Sequence, residues 1–107
     1  MLLAALLTLT APAQGEGKIQ GGAASSVEAA AHRIAAKSAF SGQMLGKAPR
    51  PNNPRSDHPA GYAIDFMVDS KAEGDRVAAA CRHDQSVTYA LWQVANHFNH
   101  VHCSFKR

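Results

Sequence analysis

The 107-residue chain predicts an α+β fold, a small antiparallel sheet with two helices packed on one side. Three observations support this. Two segments repeat apolar residues at helical spacing, and each opens on a Ser with a Glu three residues later: Ser25 with Glu28, and Ser70 with Glu73. Segments 62–68, 87–92 and 101–105 carry strand-forming residues, and a shorter stretch, 43–47, surrounds Met44 and Leu45. With 46% apolar and only 18% charged residues, the chain suits one packed core and not a disordered tail. The order helix, strand, strand, helix, strand, strand then suggests a sheet covered on one side, as a single domain over residues 25–107.

The N-terminus reads Met1 to Leu9 as an apolar run (MLLAALLTL), followed by Ala11-Pro12-Ala13. The run is shorter than the ~20 residues a membrane span needs. Its length suits the apolar region of a signal peptide, with Ala11-Pro12-Ala13 as the cleavage pattern, although no Lys or Arg precedes it. The expectation is a signal peptide over 1–13 and an exported protein, secreted or associated with the cell envelope and without stable membrane insertion. A core helix is the alternative, but Pro12 and the glycines after it would end it early. Residues 14–24, rich in glycine, are expected to be a flexible leader.

The first helix runs from Ser25 as N-cap, with Val27, Ala30, Ala31 and Ile34 as its apolar stripe and Gly42 placed to stop it. Pro49, Pro51 and Pro54 exclude a helix or central strand from the next stretch, leaving an exposed loop with Lys47, Arg50 and Arg55. Along 62–68, Ile64, Phe66 and Val68 share one strand face, and Ala63, Asp65 and Met67 the other. The second helix, capped by Ser70, ends near Arg82 or His83 and has Val77, Ala80 and Cys81 on its apolar side. Strands 87–92 and 101–105 follow, with a turn at 96–99. In an exported chain Cys81 and Cys103 are expected to pair, closing a loop of ~20 residues worth roughly 3 kcal/mol in the chain-entropy model. Two buried free thiols are the alternative.

The formal charge of +3 is small and scattered, which counts against nucleic acid as a partner and would suit an anionic polymer such as a bacterial wall. The chemistry sits in two clusters, 56–65 and 97–102. Asp65 interrupts an apolar strand, where a carboxylate is costly unless paired or bound to metal. Pro59 holds His58 extended, and Gly61 permits close backbone approach. His100 and His102, two apart on a strand, point to the same side, while His97 can fold back across the turn. Three imidazoles and a carboxylate suit a first-row metal, with zinc the default. A His-x-His pair alone is weak, since two surface histidines on a strand are common; both clusters in one short chain carry more weight. A structural zinc site would favour cysteine ligands, and these cysteines are poorly spaced for one. His32 and His83 are read as a solvated helix residue and a helix C-terminal residue.

Both clusters resemble the motifs of the lysostaphin, D-Ala-D-Ala peptidase and hedgehog group of zinc domains, nearest to its D-Ala-D-Ala carboxypeptidase-like and murein-endopeptidase-like members. The pattern SxHxxGxAxD is complete as Ser56, His58, Gly61, Ala63 and Asp65. His97, His100 and His102 look like the endopeptidase form of the later motif, and both stretches are also similar to a small C-terminal domain of secreted actinobacterial and fungal proteins. The resemblance implies zinc ligation by His58, Asp65 and His102, with water at the fourth position. His100 would stand beside the metal with His97 as its partner, assisting the water or stabilising the transition state. The dipeptidase form uses a late Glu, and none follows Glu73 here. Two departures stand out: the connection between Trp92 and Asn96 is shorter than in the similar secreted domains, and Asn99 replaces a frequent Asp.

The function this implies is a secreted zinc peptidase acting on peptidoglycan stem or cross-link peptides, with Arg50, Arg55 or Lys47 as candidates to hold a substrate carboxylate. Plain solvation is the alternative for each of those cations. A non-catalytic zinc-containing binding module of the same fold is the second reading, because fold does not dictate turnover. A metal nuclease is the third, opposed by the lack of a clustered basic stripe.

Overall fold

The structure, a computed structural model, describes residues 17–107; the expected signal peptide and residues 14–16 of the expected leader lie outside them. The elements are β1 (Ile19–Gln20), α1 (Ser25–Ser38), β2 (Met44–Leu45), β3 (Ala63–Met67), α2 (Lys71–His83), β4 (Val87–Leu91) and β5 (His100–Phe105). The strands form one sheet in the order β1-β2-β3-β5-β4. Both helices contribute to one core with the inward side chains of β3 and β5. No helix among the described residues is long and apolar enough to cross a membrane.

The sheet is mixed, not wholly antiparallel, because β1 pairs parallel with β2. This strand comes from the stretch expected to be a flexible leader. Ile19, an apolar residue within the glycine run, is 6% exposed and aligns with Met44. Gly21 and Gly22, at φ +83° and +67°, turn the chain from β1 towards α1. The glycines here build a turn, so residues 19–24 belong to the domain.

α1 begins one residue earlier than its sequence signal implies. Ala24 is the N-cap and Ser25 the first helical residue, so the Ser hydroxyl does not cap; Glu28 still reaches back and accepts from the Ala23 N–H. The helix ends with Ala39 in the left-handed region (φ 56°), and the Phe40 N–H reaches the Ala35 carbonyl, before Gly42 is reached. Gly42 instead provides clearance for the Met67 carbonyl. α2 follows its signal: Ser70 Oγ accepts from Glu73 N–H, and Glu73 accepts from Asp69 N–H.

The two faces of the sheet differ in chemistry. Ile64 and Phe66 of β3, with Val101, Cys103 and Phe105 of β5, point into the core beneath the helices. Phe40 meets Phe66 edge-on, with centroids 5.4 Å apart. Cys81 and Cys103 form a disulfide across 22 residues of sequence, joining α2 to β5. The opposite face carries Asp65 on β3 and His100, His102 and Ser104 on β5. In the antiparallel register Asp65 stands opposite His102, and Ala63 opposite Ser104. A one-residue slip would send that whole set into the apolar core, so burial of the other face fixes the register.

Candidate metal centre

His58 reaches the polar face from the proline-rich loop before β3. Its N–H donates to Ser56 Oγ at 3.2 Å, its carbonyl accepts from Gly61 N–H, and the Asp57 carbonyl accepts from Tyr62 N–H. Gly61, at φ +88°, lets α1 approach: its carbonyl accepts from Ala24 N–H, and a Cβ there would lie 2.9 Å from that nitrogen. The close approach expected at Gly61 is thus to the start of α1.

His58, Asp65 and His102 converge with side chains only 3–8% exposed as whole residues. His58 Nε2 lies 3.2 Å and His102 Nδ1 3.1 Å from the same oxygen, Asp65 Oδ1. One ligand-type atom from each of the three lies within 4.8 Å of the others. The far nitrogens are also held. His58 Nδ1–H donates to the Gly46 carbonyl at 2.8 Å, and His102 Nε2 is 2.8 Å from Ser104 Oγ.

The Gly46 contact decides the protonation of His58. A carbonyl only accepts, so Nδ1 carries a proton. A neutral His58 then turns an Nε2 lone pair onto a carboxylate oxygen, which is unfavourable unless a proton or a metal ion lies between them. Burial works against charge on Asp65, but the hydrogen bonds and charges of His102 and His58 outweigh it and hold its carboxyl well below the ordinary range. Burial likewise opposes charge on His58, but Asp65 and the Gly46 carbonyl more than compensate, and its pKa is raised. These donors fit a cation: two imidazole nitrogens and one carboxylate oxygen, each imidazole oriented by a hydrogen bond on its far side. The group could hold a metal ion.

His100 stands beside this set. Its Nε2 is 4.0 Å from Asp65 Oδ1, and its Nδ1 is 2.7 Å from Asn99 Oδ1. Burial lowers its pKa, with the neighbouring imidazoles adding to the shift against the pull of Asp65. His97 comes from the short connection, which closes as a tight turn through paired hydrogen bonds between Gln93 and His97 and between His97 and Val94. Gln93 and Asn96 take left-handed conformations there (φ 61° and 66°). The His97 ring lies 4.8 Å from that of His100 and 5.9 Å from that of His102, and its Nδ1–H donates to the Ala95 carbonyl. All five residues singled out by the sequence therefore meet, with His97 the outermost.

The set floors a cleft of about 390 Å³, a volume suited to a small ligand or a peptide segment. Arg50 and Arg55 line it, with Arg50 Nη2 4.0 Å from Asp65 Oδ2. Lys47 is not in its lining; that residue is held against the β1–α1 turn, its N–H donating to the Gly22 carbonyl. Tyr89 and Leu91 of β4 form an apolar wall, the Tyr89 ring stacked on His102 at 5.8 Å and 25°. The sequence does not single out Gly46, Ser104 or Tyr89. Ser104 was accessible to strand parity, as the third member of the series His100, His102, Ser104; Gly46 and Tyr89 depend on long-range pairing.

Residues 19–100 match the family model described as VldE, C-terminal domain. The chain belongs to that family. The matched span runs from the first residue of β1 to the first of β5, taking in His58, Asp65, His97 and His100. It thereby includes the strand formed by the glycine-rich stretch. The family description names no reaction. No curated protein and no solved structure matches the chain.

Proposed function

We propose that this domain is a secreted, zinc-dependent peptidase that hydrolyses peptide bonds in peptidoglycan stem or cross-link peptides. One observation carries the reading: two buried imidazole nitrogens and a carboxylate oxygen lie within 4.8 Å of one another at the floor of a cleft, with His100 beside them. Three protein ligands with an open fourth position are the pattern of catalytic zinc, whereas structural sites are closed by four. Zinc, when bound, would supply Lewis-acid activation of water and of the scissile carbonyl.

The chain's own groups do the rest. His100, with Nδ1 committed to Asn99, turns Nε2 towards the cleft. That nitrogen accepts a proton from the attacking water and returns it to the leaving amine. His97 supports His100 from the turn. Arg50 and Arg55 hold a substrate carboxylate, and Tyr89 and Leu91 give the peptide an apolar wall. The Cys81–Cys103 disulfide is consistent with export, since such bonds persist in oxidising compartments.

The test is metal analysis of the purified protein, followed by mass spectrometry of muropeptides incubated with the zinc-loaded form. The expected result is one zinc per chain and new peptide products, with metal lost in His58→Ala and His102→Ala. Full zinc occupancy in both variants would sink the ligand assignment. Zinc retention without cleavage of any of several muropeptides would favour the non-catalytic binding module.

A further inference from the structure

We propose that His97 and His100 form a second metal site in the cleft, which takes up an exchangeable zinc ion once the three-ligand set is filled and thereby withdraws His100 from proton transfer. The withdrawal rests on the peptidase reading; the second ion does not.

The two rings are prepared alike. Nδ1 of His97 is 2.8 Å from the Ala95 carbonyl oxygen, and Nδ1 of His100 is 2.7 Å from Asn99 Oδ1. Both oxygens only accept, so each Nδ1 carries a proton and each Nε2 is left as the basic nitrogen. A far-side acceptor of this kind is what orients metal-binding imidazoles. Both side chains line the cleft, and both are half-buried. The turn that returns His97 to this place is closed by its own backbone, with Gln93 N–H donating to the His97 carbonyl and His97 N–H to that of Val94.

The spacing also fits. The ring centroids of His97 and His100 lie 4.8 Å apart. Two imidazoles that share a tetrahedral zinc through bonds of ~2.0–2.1 Å stand with centroids roughly 5 Å apart. The inner pair, His58 and His102, has nearly the same separation, 5.1 Å.

The outer pair is the weaker site. Among the described residues the three-ligand group stops at His58, Asp65 and His102. Asp65 Oδ1, already shared by those two rings, is 4.0 Å from His100 Nε2. The outer ion therefore has two protein ligands, and water completes its four positions. Arg50 and Arg55 in the same cleft, and the inner ion, repel a second cation. Filling is then sequential, inner before outer. Nε2 of His100 is the atom that takes a proton in the proposed hydrolysis, and a lone pair given to zinc cannot take one. Zinc in excess is thus an inhibitor as well as the cofactor.

The test titrates the purified metal-free protein with zinc, following stoichiometry by chelator competition and the imidazole nitrogens by nitrogen-15 NMR. Two phases are expected. The first moves the signals of His58 and His102 and ends at one ion per chain. The second, weaker phase moves those of His97 and His100 together and ends at two. His97→Ala should keep the first phase and lose the second, while His32→Ala and His83→Ala keep both. Hydrolysis by wild type should rise through the first phase and fall through the second. A single phase overturns the inference and leaves the peptidase reading standing. So does a second phase that survives in His97→Ala, or movement of His97 and His100 with the first ion. Two phases as described, with no hydrolysis at one ion per chain, would sustain the outer site and sink the peptidase reading. A protein that binds no zinc would overturn both.

Discussion

The carbonyl of Gly46 accepts a hydrogen bond from Nδ1–H of His58 at 2.8 Å, fixing which nitrogen of that ring faces Asp65. The carbonyl is held in turn by its backbone: Gly46 N–H donates to the Gln20 carbonyl, so the short parallel pair β1–β2 positions it. A Cβ at Gly46 would overlap the Gly22 carbonyl oxygen and crowd Ile19. Gly46→Ala is therefore expected to push β1 from β2, lower stability by about 1–3 kcal/mol, and weaken metal binding together with it. Thermal melts and chelator competition check both. Stability lost with metal affinity intact would separate Gly46 from the orientation of His58.

Protons and a metal ion compete for Nε2 of His58. Burial alone would lower the pKa of this ring, but Asp65 and the Gly46 carbonyl raise it above its ordinary value of ~6.5. A raised value means that the imidazolium–carboxylate pair stabilises the metal-free fold fully below pH ~6.5, and that this contribution is lost as pH rises through the folded value. Metal affinity should run the other way, growing over the same interval as the proton leaves. Melting curves of the metal-free protein from pH ~6 to ~8 should fall while the stabilisation added by zinc increases. Calorimetry in buffers of different ionisation enthalpy should show proton release on binding. Zinc affinity independent of pH over that range would contradict the competition.

Gly74 presents a conflict between local propensity and packing. Within α2 an alanine would be favoured by about 1 kcal/mol. Here the Trp92 ring lies against the glycine, and a Cβ would overlap it. Trp92 is also tied down by Nε1–H donating to Asp75 Oδ1 at 2.8 Å, so it cannot move away without losing that bond. Gly74→Ala is expected to destabilise by about 1–3 kcal/mol despite the better helix former. Denaturant unfolding measures it, and a more stable variant would show that Trp92 can shift.

Much of the site was legible because strand parity is a rigid rule. Alternation alone placed Asp65 opposite the apolar face of β3, and His100 and His102 opposite Val101 and Cys103. Ser70 and Glu73, which accept from Glu73 N–H and Asp69 N–H, located α2 for an equally local reason. The failures share a cause. Ile19 reads as part of a flexible stretch because what makes it a strand is the open edge of β2, distant in sequence. Ser25 loses the capping role to Ala24 because the Ala24 N–H is satisfied by Gly61 from another part of the chain. Gly42 looked like a helix stop, while the left-handed Ala39 and the burial of Phe40 end α1 first. Local chemistry was readable where it sufficed, and long-range pairing overrode it where it did not.

His100 separates enzyme from binding module. Its Nε2 is farther from Asp65 Oδ1, at 4.0 Å, than the 3.1–3.2 Å of the His58 and His102 nitrogens. It lies outside the three-ligand group while bordering the same cleft. His100→Ala is therefore expected to keep most of the zinc and to lose hydrolysis by about 10²–10⁴-fold, the usual contribution of a general acid–base group. His97→Ala should act in the same direction and more weakly, since its ring contacts that of His100 from the outer turn and its Nδ1–H is taken by Ala95. Zinc content and cleavage rate, measured on the same preparations, decide between the roles. Loss of zinc in His100→Ala would make it a fourth ligand, closing the coordination sphere and favouring a structural site. Undiminished hydrolysis would remove it as the base.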